Sequence, residues 1–399
     1  MNVNQIITQF VSSVSHRIHQ TRARALASCV QSAMSGQRLT VTDLGRGLHT
    51  QAFEKHAIKR ADRLCSNSLL LAQLPLIYHH LCTLLVPQQS RPVIHVDWSD
   101  MNLKKTLFLI RASLSFEGRA LTLYEEVHTL STKEKAATHE SFLQMLAQLL
   151  PHDVKPIMVT DAGFKRPWFK SVRARGWDFV GRIRGRVCVS PDGEKGPLCK
   201  TLFPQATTRP KGLKNWFMGN KAPYQLNLVL YKARPKGRIA KTAAGKRQQS
   251  NYSRKNARRA QDPWLLATSL NISNKNGANI VAMYSQRMQI EEAFRDHKSS
   301  QYGMGLETNR TESRSRLSIL VLIGTLAHNL LVLIGVMTEN LGIHRRFQAN
   351  TIRERKVLSY FSLGRRFYRT NTIGISLSAW KAAIMALRQK IESAQVVLE

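Results

Sequence analysis

Hydrophobic and polar positions follow three rhythms along the chain. Up to residue 90 apolar residues recur at helical spacing, and proline appears only late, at Pro75 and Pro87. That pattern predicts helices. Residues 40–48 read as a short helix behind capping residues, and 56–64 as a basic amphipathic helix. Two short helices with a glycine near their junction suit either a helix-turn-helix or a plain bundle with a basic surface.

From residue 91 the period shortens. Runs at 92–98, 107–114 and 120–127 read as three strands, the last two joined by a Glu117-Gly118 turn. A helix over about 139–150 follows, then a strand at 156–161, a short helix at 168–175 and a strand at 179–184. This order predicts a layered α/β domain with a mixed sheet. After an interruption, 264–270 resumes the sheet, and 284–298, without Pro or Gly, predicts one helix. The third rhythm is the apolar run 317–337, broken by Gly324, His328, Asn329 and Gly335. As the one such stretch in a basic chain it is expected to be a buried core helix rather than a membrane span. The tail is basic and helical. Leu377, Trp380, Ile384, Leu387 and Ile391 form a face suited to closing the core or meeting a second subunit.

Charge narrows the function. With 60 Lys+Arg against 25 Asp+Glu, the formal charge of +35 exceeds what solubility needs and points to a polyanion. The cations spread over the whole chain with no single juxtamembrane cluster, which favours nucleic acid over a membrane surface. Between about 185 and 262 the composition turns to Lys, Arg, Gly, Pro and polar residues. Lys232 to Arg259 holds eleven Lys/Arg and no acid, a run expected to contact phosphates. Five cysteines (29, 65, 82, 188 and 199) include no C-x-x-C pair and read as buried thiols of a reducing cytoplasm. The amphipathic N-terminus, with Ile6, Ile7, Phe10 and Val11, has no h-region, so no signal peptide is expected. At 399 residues and 43% hydrophobic, the chain is long enough for two to four units.

Two strand runs end on an acid, Asp97 and Asp161, and a third acid, Glu291, lies on the 284–298 helix. At about 100° per residue, Tyr284, Arg287, Glu291 and Lys298 fall within roughly 60° of one another. Met283, Ile290 and Phe294 form an adjoining apolar stripe, and Glu292 points about 100° away from Glu291. Carboxylates from two strands and a facing helix can hold two Mg²⁺ ions roughly 3.5–4 Å apart for in-line phosphoryl displacement. Blander readings stand beside this one. Arg287–Glu291 makes an ordinary i,i+4 pair, Asp97 a strand-end cap with Asp100 as a rival ligand, and Asp161 an Asx turn.

Val96-Asp-Trp-Ser-Asp100, Val159-Thr-Asp-Ala-Gly-Phe164 and the Tyr284, Arg287, Glu291, Lys298 spacing resemble the bacterial DDE cut-and-paste transposases with the YREK signature. These form insertion-sequence family four, the group that includes the transposase of the tetracycline-resistance composite transposon. The resemblance runs from residues 39–48 to 347–351. It implies an α/β, ribonuclease-H-like catalytic core over 91–310 with a β-rich insertion at about 185–262. A helical DNA-end-binding domain over 1–90 and a helical C-terminal region over 311–399, available for a dimer contact, would flank it.

The resemblance also implies roles. Asp97, Asp161 and Glu291 become the catalytic metal ligands, for two Mg²⁺ ions or Mn²⁺ in their place. It prefers Glu291 to Glu292, as the helix wheel does. Tyr284, Arg287 and Lys298 would bind transposon-end phosphates. Excision through DNA hairpins would trap a flipped base on Trp264, with Arg182 as a further hairpin contact. Expected partners are terminal inverted repeats, target DNA and a second copy in the synaptic complex; no membrane is expected, and the location is cytoplasmic, at the nucleoid. Two alternatives are a catalytically silent repressor of transposon ends and a nuclease that cuts without joining. Asn or Ala at any of the three acids would have favoured the repressor.

Overall fold

Local sequence signals set most element boundaries. A computed structural model describes residues 18–102, 104–234, 261–273, 276–349, 351–352, 354–370 and 376–394, and positions 5, 8, 10, 11, 13, 248, 250, 251, 253 and 254. They divide into two units, one built from the residues up to Lys155 and from Met288 onward, the other from Pro156–Arg287.

The first unit opens with helices α1 (Gln20–Ser35), α2 (Val41–Arg46), α3 (Glu54–Cys65), α4 (Ser68–Ala72) and α5 (Leu74–Leu85). Thr40 caps α2 by accepting the Asp43 N–H at 3.1 Å and donating to the Asp43 carboxylate at 2.9 Å. Helix α2 packs on α3 because Gly45 has no side chain; a Cβ there would lie 2.4 Å from the Ile58 Cα. The connection between these helices, 47–53, exceeds the roughly three to four residues of a helix-turn-helix turn. The pair is close-packed but not that tight motif.

Strands β1 (Val93–Asp100), β2 (Leu107–Phe116) and β3 (Arg119–Thr129) form an antiparallel meander. Their register places Asp97 opposite Arg111 and Arg111 opposite Glu125. Every residue of β2 is buried, as expected of a strand covered on both faces. Helix α6 (Ala136–Leu149) follows. Later in the chain the unit adds a helix at Met288–Lys298, then the apolar helix Arg314–Asn340 and the C-terminal helices Tyr360–Thr370 and Leu377–Ala394. The Arg314–Asn340 helix is long and apolar enough to span a membrane, yet its apolar window is wholly buried inside the unit. It packs against α1, β3 and both C-terminal helices. On the last helix Trp380, Leu387 and Ile391 are buried, Ile384 is half-buried and Leu377 is exposed. The predicted face therefore closes the core along most of its length.

The second unit contains β4 (Ile157–Thr160), α7 (Arg166–Ala174), β5 (Asp178–Ile183), β6 (Val189–Ser190), β7 (Lys211–Met218), β8 (Tyr224–Tyr231), β9 (Trp264–Thr268) and α8 (Gly277–Gln286). Strands β4 and β5 are parallel; β5 pairs antiparallel with β9, which continues through β8 and β7 to β6. The β-rich insertion is thus a set of strands that extends this sheet beyond β9. Of the eleven cations counted from Lys232 to Arg259, Lys232, Arg234 and Arg254 are described and the rest lie outside the described residues.

Three antiparallel strands, a helix, then strand–helix–strand and a late helix form the element order of a ribonuclease-H-like core. The one helix expected over 284–298 is two: α8 ends at Gln286, and α9 (Met288–Lys298) begins after Arg287. The Arg287 N–H turns back to the Tyr284 carbonyl at 3.1 Å, an i→i−3 bond that interrupts the i→i−4 ladder.

Candidate active site

Asp97 and Glu291 belong to the first unit. Asp97 is 9% exposed and lies inside β1 rather than at its end, since pairing with β2 carries the strand on to Asp100, and its Oδ1 accepts the Trp98 N–H at 2.8 Å. The next side chain fixes the strand end. The Trp98 indole donates to His139 Nε2 on α6 at 3.1 Å and packs edge-on to His128 at 5.4 Å. Burial, and after it the neighbouring His128, lowers His139 to about 4, which keeps Nε2 available as the acceptor.

Glu291 lies on the exposed face of α9, while Ile290, Ala293, Phe294, Asp296 and His297 form its buried face. Helix α9 packs on β1, β2 and β3. At its last turn Lys298 Nζ donates to the Ser99 hydroxyl at 2.9 Å and to the Asp100 carbonyl at 3.3 Å. Burial pushes this ammonium below the usual lysine range. The two rival acids both have cationic partners. Asp100 lies 3.6 Å from Lys105 and from Lys133, and Glu292 pairs with Arg295 and with Arg119 at 3.8 Å.

Asp161 belongs to the second unit, directly after β4, and is half-buried. Its Oδ1 accepts the Gly163 N–H at 2.7 Å, so the Asx turn is present. An Asx turn uses one of about four lone-pair sites on the carboxylate, and so does not exclude a ligand role.

The aromatic and cationic candidates of this unit form one group. Trp264 meets Tyr284 edge-on at 4.9 Å and Tyr231 at 5.7 Å. The Arg287 guanidinium lies 5.9 Å from the Tyr284 ring centre. Arg182 donates to the carbonyls of Asp262 and Pro263, at 3.3 and 3.4 Å, just before Trp264. Burial raises the Tyr284 hydroxyl above the usual tyrosine range, and the charges of Arg287 and Arg182 oppose that rise. Beside Asp161, a cavity of about 330 Å³ is lined by Phe164, Met218 and the cations Lys165, Arg182, Arg184 and Arg186. A lining that mixes four cations with apolar side chains suits a phosphate attached to a base or sugar.

The break at Arg287 corrects the helix-wheel seam. Tyr284 and Arg287 belong to the second unit, Glu291 and Lys298 to the first, so the wheel relates them only within each pair. Among the described residues no three His, Cys, Asp or Glu side chains stand close enough to hold a metal ion. Neither unit alone contains all three acids. The donor chemistry nevertheless fits Mg²⁺, because the three carboxylates are hard oxygen donors.

Sequence reasoning passed over Arg111, Glu125 and His297, which are buried in the first unit and meet one another there. Arg111 donates to Glu125 at 2.7 Å and contacts His297 Nδ1 at 2.9 Å. The available signal was a charge at the same depth in two neighbouring apolar strands, but only the register shows that the charges meet.

The five cysteines are free thiols, four buried and Cys188 half-buried. Burial pushes Cys29 and Cys65 up to about 12, so neither is a reactive thiolate at neutral pH.

Residues 88–330, more than half of the chain, match the family described as Transposase DDE domain. Every candidate site residue falls within that span. No curated protein matches the chain.

Proposed function

Because the chain belongs to the DDE transposase family, we propose that it excises an insertion sequence by cut-and-paste transposition, through hairpin ends, and joins it to target DNA. The finer affiliation we infer is the YREK group that includes the transposase of the tetracycline-resistance composite transposon. The observation that carries the proposal is the coupling in the first unit: the helix of Glu291 is packed on the strand of Asp97 and tied to it by Lys298. That contact supports a shared task for two acids far apart in sequence.

In this reading Asp97, Asp161 and Glu291 hold divalent metal ions, Mg²⁺ or Mn²⁺, which supply charge stabilisation for phosphoryl transfer. The chain's own groups do the positioning. Glu291 is exposed on its helix; Glu292 is half-buried and pairs with Arg119 and Arg295. Tyr284, Arg287 and Lys298 bind phosphates of the transposon end. Trp264, half-buried between two tyrosines, offers a ring face on which an unpaired base can stack. Arg182 contacts the hairpin. The helical regions 1–90 and 311–399 bind the element's ends and a second copy, and the catalytic core spans 91–310.

The deciding experiment is Mg²⁺-dependent cleavage of a labelled duplex carrying the element's own terminal repeat, with wild type beside Glu291→Ala and Asp161→Ala. Hairpin-ended product from wild type alone supports the proposal. Binding without cleavage by all three proteins would instead make the chain a repressor of transposon ends. Cleavage without strand transfer from precleaved ends would make it a nuclease.

A further inference from the structure

In the first unit one buried guanidinium stands across from the Asp97 strand and against the Glu291 helix. Arg111, in the middle of β2, is fully buried and stands directly opposite Asp97 in the β1–β2 register. Side chains of directly opposed residues share a face of the sheet. On that face Arg111 meets the Glu291 helix twice: its guanidinium lies 4.7 Å from the Phe294 ring centre, and Nη2 contacts His297 Nδ1 at 2.9 Å. Those residues are three and six positions beyond Glu291, one turn and nearly two turns along α9. Arg111 therefore touches the buried side of the helix that displays Glu291 and shares a sheet face with Asp97.

Arg111 is itself held rigidly. Glu125 takes its Nε at 2.7 Å and its Nη2 at 2.6 Å. The Tyr78 hydroxyl donates to Glu125 at 3.0 Å, and the Thr325 hydroxyl donates to the same carboxylate oxygen. A second contact on α9 fixes the helix: Asp296 accepts from Arg119 at 2.6 Å. Among the described residues, Arg111 Nη1 is buried without a hydrogen-bond partner. A buried guanidinium with one nitrogen unpaired is costly for stability alone, since an apolar pair of the same volume often serves as well. The arrangement calls for another role.

We propose that Arg111 is a positioning residue for catalysis, setting the separation and orientation of Asp97 and Glu291 without touching DNA. The inference rests on the transposase reading above. Arg111→Met alone would leave Glu125 as a buried unpaired charge and could unfold the chain. The test therefore uses Arg111→Met with Glu125→Gln, which keeps an acceptor for Tyr78 and Thr325.

Four quantities are measured on the full chain: the thermal midpoint, affinity for the terminal-repeat duplex, Mn²⁺ affinity without DNA from the electron paramagnetic resonance of free Mn²⁺, and the single-turnover cleavage rate. The proposal expects a midpoint within a few degrees of wild type and unchanged duplex affinity. It also expects Mn²⁺ affinity at least fivefold weaker and cleavage at least 50-fold slower. Cleavage and Mn²⁺ affinity within twofold of wild type would overturn it. So would a parallel loss of duplex binding and thermal midpoint, which marks a structural role. If wild type binds Mn²⁺ but does not cleave, the Mn²⁺ comparison alone decides the positioning role. A wild type that does neither overturns the transposase reading, and the positioning role with it.

Discussion

Lys298 Nζ donates to the Ser99 hydroxyl at 2.9 Å, joining the last turn of the Glu291 helix to the strand of Asp97. The same ammonium reaches the Asp100 carbonyl, and burial lowers its proton affinity. Replacing it by methionine preserves the apolar stem and removes the charge. Lys298→Met is expected to fold with a stability change of at most about 1 kcal/mol. Its affinity for transposon-end DNA should fall about tenfold or more, and its salt dependence should weaken by about one phosphate contact. Titrations at two salt concentrations check this; an unchanged slope would make the lysine purely structural.

Glu291 and Glu292 are adjacent, the first exposed and the second half-buried. Glu291→Gln is expected to abolish cleavage while duplex binding persists. Glu292→Gln breaks contacts to Arg119 and Arg295 at a partly exposed site, a loss of no more than about 1 kcal/mol. Its cleavage rate should stay within threefold of wild type. The reverse outcome would move the third acid to Glu292.

Trp264, packed against Tyr231 and Tyr284, is proposed to act only in the later, hairpin step. Trp264→Ala should leave first-strand nicking nearly intact and slow hairpin formation at least tenfold, since base–aromatic stacking contributes about 1–3 kcal/mol. A 2-aminopurine at the expected flipped position reports the event by fluorescence. Equal brightening with wild type and variant would remove Trp264 from that role.

His139 makes stability depend on pH. The folded chain holds it near 4, whereas an unfolded histidine titrates near about 6.5. Between those values the unfolded chain binds a proton that the folded chain does not. Stability therefore falls as pH drops through that window, by at most roughly 3 kcal/mol. Buried His297 shifts in the same direction, chiefly through burial and then Arg111. His139→Gln keeps an acceptor for the Trp98 indole and removes the proton. Urea midpoints from pH 7 to 4.5 should decline less steeply for this variant, and equal slopes would refute the assignment.

Two glycines set one helix crossing in the first unit. A Cβ on Gly335 would lie 2.1 Å from the Tyr360 carbonyl oxygen, and one on Gly364 would lie 1.8 Å from that of Leu331. Because both obstacles are backbone, relief requires the helices to separate. Gly364→Ala is expected to cost more than about 2 kcal/mol, as overpacking of a buried contact does. A thermal midpoint unchanged within error would show that the crossing yields.

Much of this molecule was legible in the residues because its signals are local. Apolar periods fixed the three strands of the meander, the buried Arg314–Asn340 helix and the face of the last helix. The acid after Thr160 stands out because β4 ends there, Asp97 lies inside β1, which runs on to Asp100, and the charge of +35 pointed to a polyanionic partner without any knowledge of folding. The strands β7 and β8 were hidden within a basic composition, and α8 among short polar segments.

Tertiary structure decided what depends on distant residues. Strand register brought Arg111 between Asp97 and Glu125, and packing of α9 added Phe294 and His297 to that group. Asp100 lies beside Lys105 and Lys133, and Glu292 beside Arg119 and Arg295; no spacing along the chain reveals such pairs. The turn at Arg287 divides a segment that local propensity reads as one helix. Propensity counts the bonds a segment can make with itself. Register, partner choice and helix breaks also depend on the surfaces against which it packs.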